Sequence, residues 1–394
     1  MALEISTASV WGKFMYKVGI ECESLEGESW GVGRNTLQFL KVVARRPELA
    51  NKYQFQLYFK NRVPEIAILQ NPLFIKHIVS PRWLKSFSVY YYVLLPIRAT
   101  LDRVSAMYFP NYMLPIIYFG KSISTLTNDL YYETWNSRLP FRYRLAYMIF
   151  GYWAAWFATA IMSVSNSAAD DVARLYKIDR KRVFGNPLGV NVPSDSETTN
   201  YQLKTKNYLL YLGQAFPRRH LRETILAFEK IAKEFPEYKL IAIGKDNYRP
   251  LVIKQLIKEV NQRLGGERVI HHDYVDEKEL ASYYAGAKLF IYVSNSEAFG
   301  LPPLEALAHG VPPVVSNQPV NREIYGSPEE EGAFFVNDPD NVYELAAVIK
   351  LGLVDQAARE NILAQREKIL ERYTWEKHTD RLLKLIDHVI EKNA

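Results

Sequence analysis

Residues Ser294 to Asn317 read SNSEAFGLPPLEALAHGVPPVVSN. An apolar run, Lys288-Leu-Phe-Ile-Tyr-Val293, precedes them and has the aromatic and β-branched content of a buried strand. A loop follows, holding Glu297, Phe299, Gly300 and Leu301. The sequence predicts that a short helix opens at Pro302-Pro303, since proline at the first helical position forfeits no intrahelical hydrogen bond. Leu304, Leu307 and Ala308 fall at helical spacing and put Glu305 in the first turn, Gly310 ends the helix, and Val311 to Ser316 starts another strand.

A strand, a polar loop and a helix whose free N–H groups face the strand's carboxyl end form an anion-binding crevice in an open α/β sheet. Two carboxylates there repel a phosphate, but an ionised Glu accepts well from hydroxyl groups. Amides that attract phosphate, beside acids that hold hydroxyls, suggest a nucleotide-sugar. By spacing alone, Glu305 is equally well explained as a first-turn acid favoured by the helix dipole.

The segment Glu297-Ala-Phe-Gly-Leu-Pro-Pro-Leu-Glu305-Ala-Leu-Ala-His-Gly-Val-Pro-Pro313 resembles the signature of glycosyltransferase family 4, E-G-F-G-L-P-x-L-E-A-(M/L)-A-x-G-x-P-V. Ala298 stands where Gly is usual, and His309 where a small residue or Cys is common; neither change removes a functional group. The resemblance implies an α/β chain of the GT-B fold: two Rossmann-like domains with parallel sheets facing across a deep cleft, and a C-terminal helix crossing back to the first. The polar stretch Pro193 to Thr205 reads as the linker. The expected domains are therefore 1-200 (acceptor), 201-373 (nucleotide-sugar donor) and 374-394 (the returning helix).

At 394 residues the chain is long enough for two cores, and 48% hydrophobic with 23% charged residues is ordinary for a folded protein. A lone Cys22 excludes an intramolecular disulfide and fits a reducing compartment. Met1 to Tyr16 lacks the basic and apolar regions of a signal peptide. A formal charge of +6 permits an anionic partner, but it is scattered rather than gathered into the continuous stripe expected of a nucleic-acid binder. Tyr147 to Ser165 carries no charge, yet it reads as a helix followed by a strand from Ala160, too short to cross a bilayer.

In the amino-terminal half, Glu4 to Val10 is a weak first strand. Gly27 to Thr36 supplies Gly31 and Gly33 ahead of the helix positions Leu37, Leu40 and Val43. On its own this is a permissive loop; by resemblance to the family's G-(I/V)-G-R loop, Gly33 and Arg34 become donor or acceptor contacts. Asn71 to Tyr118 interleaves aromatic and apolar residues with Lys76, Arg82, Lys85, Arg98 and Arg103, which suits either a core or a layer on anionic lipid. Lys121 to Trp135 contains a strand ending in Thr127, Asn128 and Asp129 and resembles the family's T-x-H-D-L element, with Asn128 at the His position. An amide can bond a sugar hydroxyl but does not titrate near neutral pH. Ser167 is a candidate N-cap for the helix that ends at Tyr176.

In the carboxy-terminal half, Asn207 to Gly213 reads as a strand, followed by Gln214-Ala-Phe-Pro-Arg218-Arg219-His220 and a helix from Leu221. Two guanidiniums beyond a strand end suit a diphosphate, though two solvated loop arginines would look the same. The stretch resembles the family's phosphate-binding segment, with Arg219 at its Lys position and Gln214 where many members carry Arg; Arg218 substitutes for it, as in the mannosyl- and rhamnosyltransferase-like branch. Lys245 follows the next strand and glycine. Tyr274 and Val275 lie where the family's backbone meets the nucleobase. His271, His272 and Asp273 are metal-ligand types, but adjacent histidines diverge and no second cluster completes a site. Asp338 is the expected cap of the next helix, and Tyr373-Thr-Trp-Glu376 resembles the element before the final one.

The resemblance implies a retaining hexosyltransferase without a metal cofactor. Arg218 and Arg219 would stabilise the departing diphosphate, Glu297 and Asn128 would contact the sugar, and Glu305 would hold the ribose diol. Gly213, Phe299, Gly300 and Leu301 complete the donor site, and GDP-mannose is one candidate donor. The expected acceptor is a glycan or lipid-linked saccharide, at a cytoplasmic location that includes the inner face of the membrane, with no nucleic acid partner. The competing readings are a soluble glucan or disaccharide synthase of the same fold and a catalytically inactive nucleotide-sugar-binding protein.

Overall fold

A computed structural model describes residues 15–27, 31–81, 83–84, 86–136, 141–193, 207–326 and 331–392. The proposed first strand near Glu4 and nearly all of the Pro193 to Thr205 linker lie outside them. The chain forms two compact units: Met1–Leu126 with Leu145–Met162 and Thr379–Ala394, and Thr127–Arg144 with Ser163–His378.

Thirteen described strands make two parallel sheets. The first sheet runs β3 (Phe74–Ile78), β2 (Tyr53–Phe59), β1 (Tyr16–Glu21), β4 (Ala106–Phe109), β5 (Ser122–Thr125), β6 (Ala160–Ser163), β7 (Val183–Gly185). The second runs β10 (Val269–His272), β9 (Lys239–Ile243), β8 (Tyr208–Leu212), β11 (Leu289–Tyr292), β12 (Pro313–Ser316), β13 (Phe334–Val336). Central strands of a parallel sheet are covered on both faces, which is why β8 reads Tyr-Leu-Leu-Tyr-Leu and β11 Leu-Phe-Ile-Tyr without alternation. Each sheet reverses its winding at one place, between β1 and β4 in the first and between β8 and β11 in the second.

In the first unit, Glu21 ends β1 at that reversal and is buried. Its Oε1 accepts from the Glu23 N–H at 2.8 Å and the Tyr90 hydroxyl at 3.2 Å. Burial pushes its carboxyl up from 4.5 to about 8, against the opposing effect of the Glu23 N–H. The native state therefore binds a proton that the unfolded chain releases above 4.5, and stability falls as pH rises from about 4.5 to 8. Glu21→Gln, which keeps the accepting oxygen, should flatten that decline in denaturant unfolding at pH 5 and pH 8; an unchanged slope would assign the pH dependence elsewhere.

The end of the helix Trp375–Glu391 belongs to this first unit. Asp387 accepts from Tyr53 Oη and Lys52 Nζ, each at 2.6 Å, and Asp380 pairs with Arg46. Leu382, Ile386 and Val389, spaced along one face of the helix, are buried. The helix Phe141–Phe157 has 17 residues, and no described helix is long and apolar enough to cross a membrane.

Several boundaries differ from those the sequence predicts. The Gly27 to Thr36 stretch is only partly a loop, because the helix Val32–Ala44 already includes Gly33 and Arg34, with Gly31 as its N-cap at φ 63°. β5 stops at Thr125, and Asn128 opens the helix Asn128–Asn136 instead of ending a strand. Ser165, not Ser167, caps the helix Asn166–Tyr176, its Oγ accepting from the Ala168 N–H at 2.9 Å. Asn341, not Asp338, caps the helix Val342–Val354.

Candidate active site

A doubly wound sheet leaves a crevice outside the carboxyl ends of its strands where the winding reverses. In the second unit that place lies beyond Leu212 of β8 and Tyr292 of β11, and the two loops leaving these strands carry Arg218, Arg219 and Glu297. The loops are joined through backbone, the Asn295 N–H donating to the Arg218 carbonyl at 2.9 Å. Arg218 Nη1 donates to Glu297 Oε1 at 2.9 Å and to the Ser296 carbonyl at 2.7 Å; Arg219 Nε donates to the same Glu297 oxygen at 3.0 Å.

Two glycines make room for this arrangement. A Cβ on Gly213, whose φ is 144°, would stand 3.3 Å from both the Arg219 guanidinium and the Tyr292 ring. The guanidinium carbon lies 5.4 Å from the centroid of that ring. Gly244, at φ 137°, ends β9 so close to Gly213 that a Cβ would fall 2.1 Å from the Gly213 carbonyl oxygen.

The electrostatics follow from burial opposed by pairing. Burial pushes the Glu297 carboxyl up, but Arg219 and Arg218 outweigh it and hold the group below the usual carboxylate range. Burial likewise works against the charge on Arg219, yet Tyr292, Glu297 and Tyr211 keep it above the ordinary guanidinium value. Arg218 is raised too, with Glu297 and Asp129 acting against its burial and against Arg219. The site is thus a buried carboxylate shared by two persistent cations. A guanidinium carries five N–H donors, and the bond to Glu297 uses only Nε–H of Arg219.

Glu305 sits in the helix Leu301–Ala308, which starts earlier than the prolines predict because Gly300, at φ 84°, serves as the N-cap. The carboxylate is therefore past the first turn, and the helix-dipole explanation loses its basis. Tyr284 Oη donates to Glu305 Oε2 at 2.9 Å, and the Tyr284 ring stacks on His309 at 4.9 Å. Tyr284 comes from the helix Glu277–Gly286, and nothing in its sequence spacing points to Glu305. Phe299 is buried edge-on against Tyr373 at 5.6 Å.

Asn128, in the same unit, is buried; its Nδ2 donates to Asp171 at 2.9 Å, while Oδ1 has no hydrogen-bond partner among the described residues. The Ser165 hydroxyl donates to the Ala298 carbonyl at 2.7 Å, so the cap of the helix Asn166–Tyr176 braces the loop behind Glu297. Glu323 accepts from the N–H groups of Asn166 and Ser167, at 2.9 and 2.7 Å, where that helix begins.

Lys245 lies just beyond β9 and is exposed; Tyr274, beyond β10, is exposed, and Val275 packs on the core cluster around Ile243 and Tyr292. These three stand at strand ends on the β9–β10 side of the reversal. Gly33 and Arg34 belong to the first unit. His271 is engaged by the Gly244 carbonyl at 2.8 Å and Asp273 by Lys254 at 3.1 Å, and no group of three His, Cys, Asp or Glu suited to a metal occurs among the described residues.

Residues 195–368 match the model of the family described as "Glycosyl transferases group 1". This part of the chain, just under half of it, is similar to the group 1 glycosyl transferases. It is 32% identical over 235 residues to the O-antigen chain mannosyltransferase B of Escherichia coli, covering 57% of this chain and 60% of that protein. It is 28% identical over 193 residues to the O-antigen chain mannosyltransferase RfbU of Salmonella typhimurium, covering 48% and 50%. The chain thus spans little more than half the length of these curated relatives. The solved sucrose-phosphate synthase of Thermosynechococcus elongatus superposes with a TM-score of 0.72 at 17% identity, over 96% of this chain and all of that one. Two parallel-sheet, Rossmann-like units are present, and the fold is GT-B.

Proposed function

We propose that this protein is a retaining glycosyltransferase that moves a hexose, mannose being the first candidate, from a nucleoside diphosphate sugar to a glycan or lipid-linked acceptor. Its setting would be the synthesis of cell-surface polysaccharide or glycolipid at the cytoplasmic side of a membrane. The observation that carries this reading is the pair Arg218 and Arg219, both within 3.0 Å of the buried Glu297 at the winding reversal of the second sheet. Relatives named as mannosyltransferases support the choice of sugar.

In this reading the bond from the anomeric carbon to the diphosphate breaks as negative charge grows on the leaving group. The guanidiniums of Arg218 and Arg219, fixed before the reaction by Glu297, face that charge without reorganising. A carboxylate already shared by two cations is a weak nucleophile, so Glu297 positions the arginines and accepts sugar hydroxyls instead. Asn128 Oδ1, buried and without a hydrogen-bond partner among the described residues, is assigned to a further sugar hydroxyl. Glu305, oriented by Tyr284, takes the ribose diol.

Incubation with GDP-, UDP-, ADP- and dTDP-sugars and a saccharide acceptor, followed by NMR, tests the reaction. An α-linked product from an α-linked donor is expected; an inverted product, or no transfer with any donor, would overturn the proposal. Glu305→Ala should weaken the Kd for the donor by about tenfold to a hundredfold, the loss of charge-assisted hydrogen bonds to two hydroxyls. An unchanged Kd in calorimetry would take Glu305 away from the ribose.

A further inference from the structure

The geometry points to a face of the first unit, built from the segment Phe87–Leu101, the loop after β4 and the part of the helix Phe141–Phe157 from Leu145 onward, as a docking surface for an anionic lipid bilayer. This rests on the membrane-side setting proposed above but not on the sugar chemistry.

The segment from Phe87 to Leu101 is helical throughout, with a π-helical turn at Tyr90–Leu94. Along it Val89, Val93, Ile97 and Leu101 recur at every fourth residue, and all four are exposed, Leu101 to 73%. On a regular helix such a spacing drifts steadily around the axis; the wider π turn offsets the drift and keeps the four on one stripe. The second helix repeats the pattern, with Leu145 and Ile149 exposed at the same spacing. The loop between β4 and β5 adds Ile116, Ile117 and Phe119, the last 90% exposed.

Three aromatic links join these segments. Tyr92 stacks on Phe150 at 4.7 Å, Tyr112 meets Tyr147 edge-on at 5.4 Å, and Tyr91 Oη donates to the Met113 carbonyl at 2.8 Å. The exposed apolar side chains are therefore carried on segments packed together, and such a concentration of apolar groups marks an interaction surface.

Charge identifies the occupant. Of the chain's 49 Lys and Arg and 43 Asp and Glu, nine and three fall within residues 66–169, so the 40 of each sign elsewhere cancel. The surplus of positive charge is spread along this stretch among its apolar segments and forms no continuous stripe. Arg103 and Lys76 are exposed within it, and Arg98, also exposed, pairs with Asp102 at the end of the Val89 to Leu101 stripe. Aromatic and aliphatic side chains among basic ones suit the headgroup depth of anionic lipid, where cations gain from the negative surface charge. A second protein copy would gain from the apolar groups but would meet the same positive charge.

The test is sedimentation of the full chain with vesicles of phosphatidylcholine alone or mixed with phosphatidylglycerol, compared with Leu101→Ser/Phe119→Ser. The wild type should sediment with the anionic vesicles, less so at high salt, and the double variant should partition about tenfold or more weakly while melting at the same temperature. Wild-type protein that stays in the supernatant with both vesicle types, or a double variant that sediments like wild type, would overturn the inference. So would light scattering that shows a wild-type dimer broken by the double substitution, since the face would then join two copies. Calorimetric titration with nucleotide-sugars in lipid-free buffer reports on the donor proposal separately.

Discussion

Arg219→Ala should lower kcat/KM for sugar transfer by about a thousandfold, roughly 4 kcal/mol of transition-state stabilisation. The size follows from the surroundings of the guanidinium. It is held between Glu297 and the Tyr292 ring in a buried setting, where a positive charge facing a developing negative one is weakly screened by water. Arg219→Lys should recover only part of the loss, because an ammonium is a point charge and cannot both bond Glu297 through Nε and present a fork to a phosphate. Steady-state kinetics on the three proteins checks this. A loss of less than about fivefold in the alanine variant would show that Arg219 does not face the leaving group.

Glu297→Gln should reduce both turnover, by about a hundredfold, and stability, by about 3 kcal/mol. The amide keeps the shape but leaves two half-buried cations sharing no negative charge. The pH dependence separates this loss from a packing defect. Because the folded carboxyl titrates below its ordinary 4.5, its stabilising effect is fully present above that value and is lost as pH falls through the lower folded pKa. The stability gap between wild type and variant should therefore be wide at pH 7 and narrow progressively below 4.5. A gap that stays constant on acidification would mean that the carboxylate charge is not what stabilises the loop.

Much of the second unit is legible in the chain because its strands are short apolar runs that end at glycine or serine. Leu209 to Gly213, Leu240 to Gly244 and Phe290 to Val293 each announce a strand and then a change of direction. The grouping of Arg218 and Arg219 with Glu297 follows from that order, since all three leave the ends of neighbouring central strands. What the sequence hides is of two kinds. Helix starts are decided by competition among nearby caps: Ser165 outcompetes Ser167, Asn341 outcompetes Asp338, and Gly300 starts a helix ahead of the prolines. Partners distant in sequence are the other kind. Tyr284 reaches Glu305 from a separate helix, and Asp171 holds Asn128 from 43 residues away, so neither bond leaves a trace in local spacing.

The central claim is that the two guanidiniums beyond β8 hold the diphosphate of a sugar nucleotide. The most direct measurement is ³¹P NMR of the nucleoside diphosphate sugars titrated into the wild type and into Arg218→Ala/Arg219→Ala. The account predicts that at least one of them binds the wild type with shifted diphosphate resonances, and that the double variant loses the shift. Resonances that shift equally with both proteins, or that no donor shifts, would contradict it.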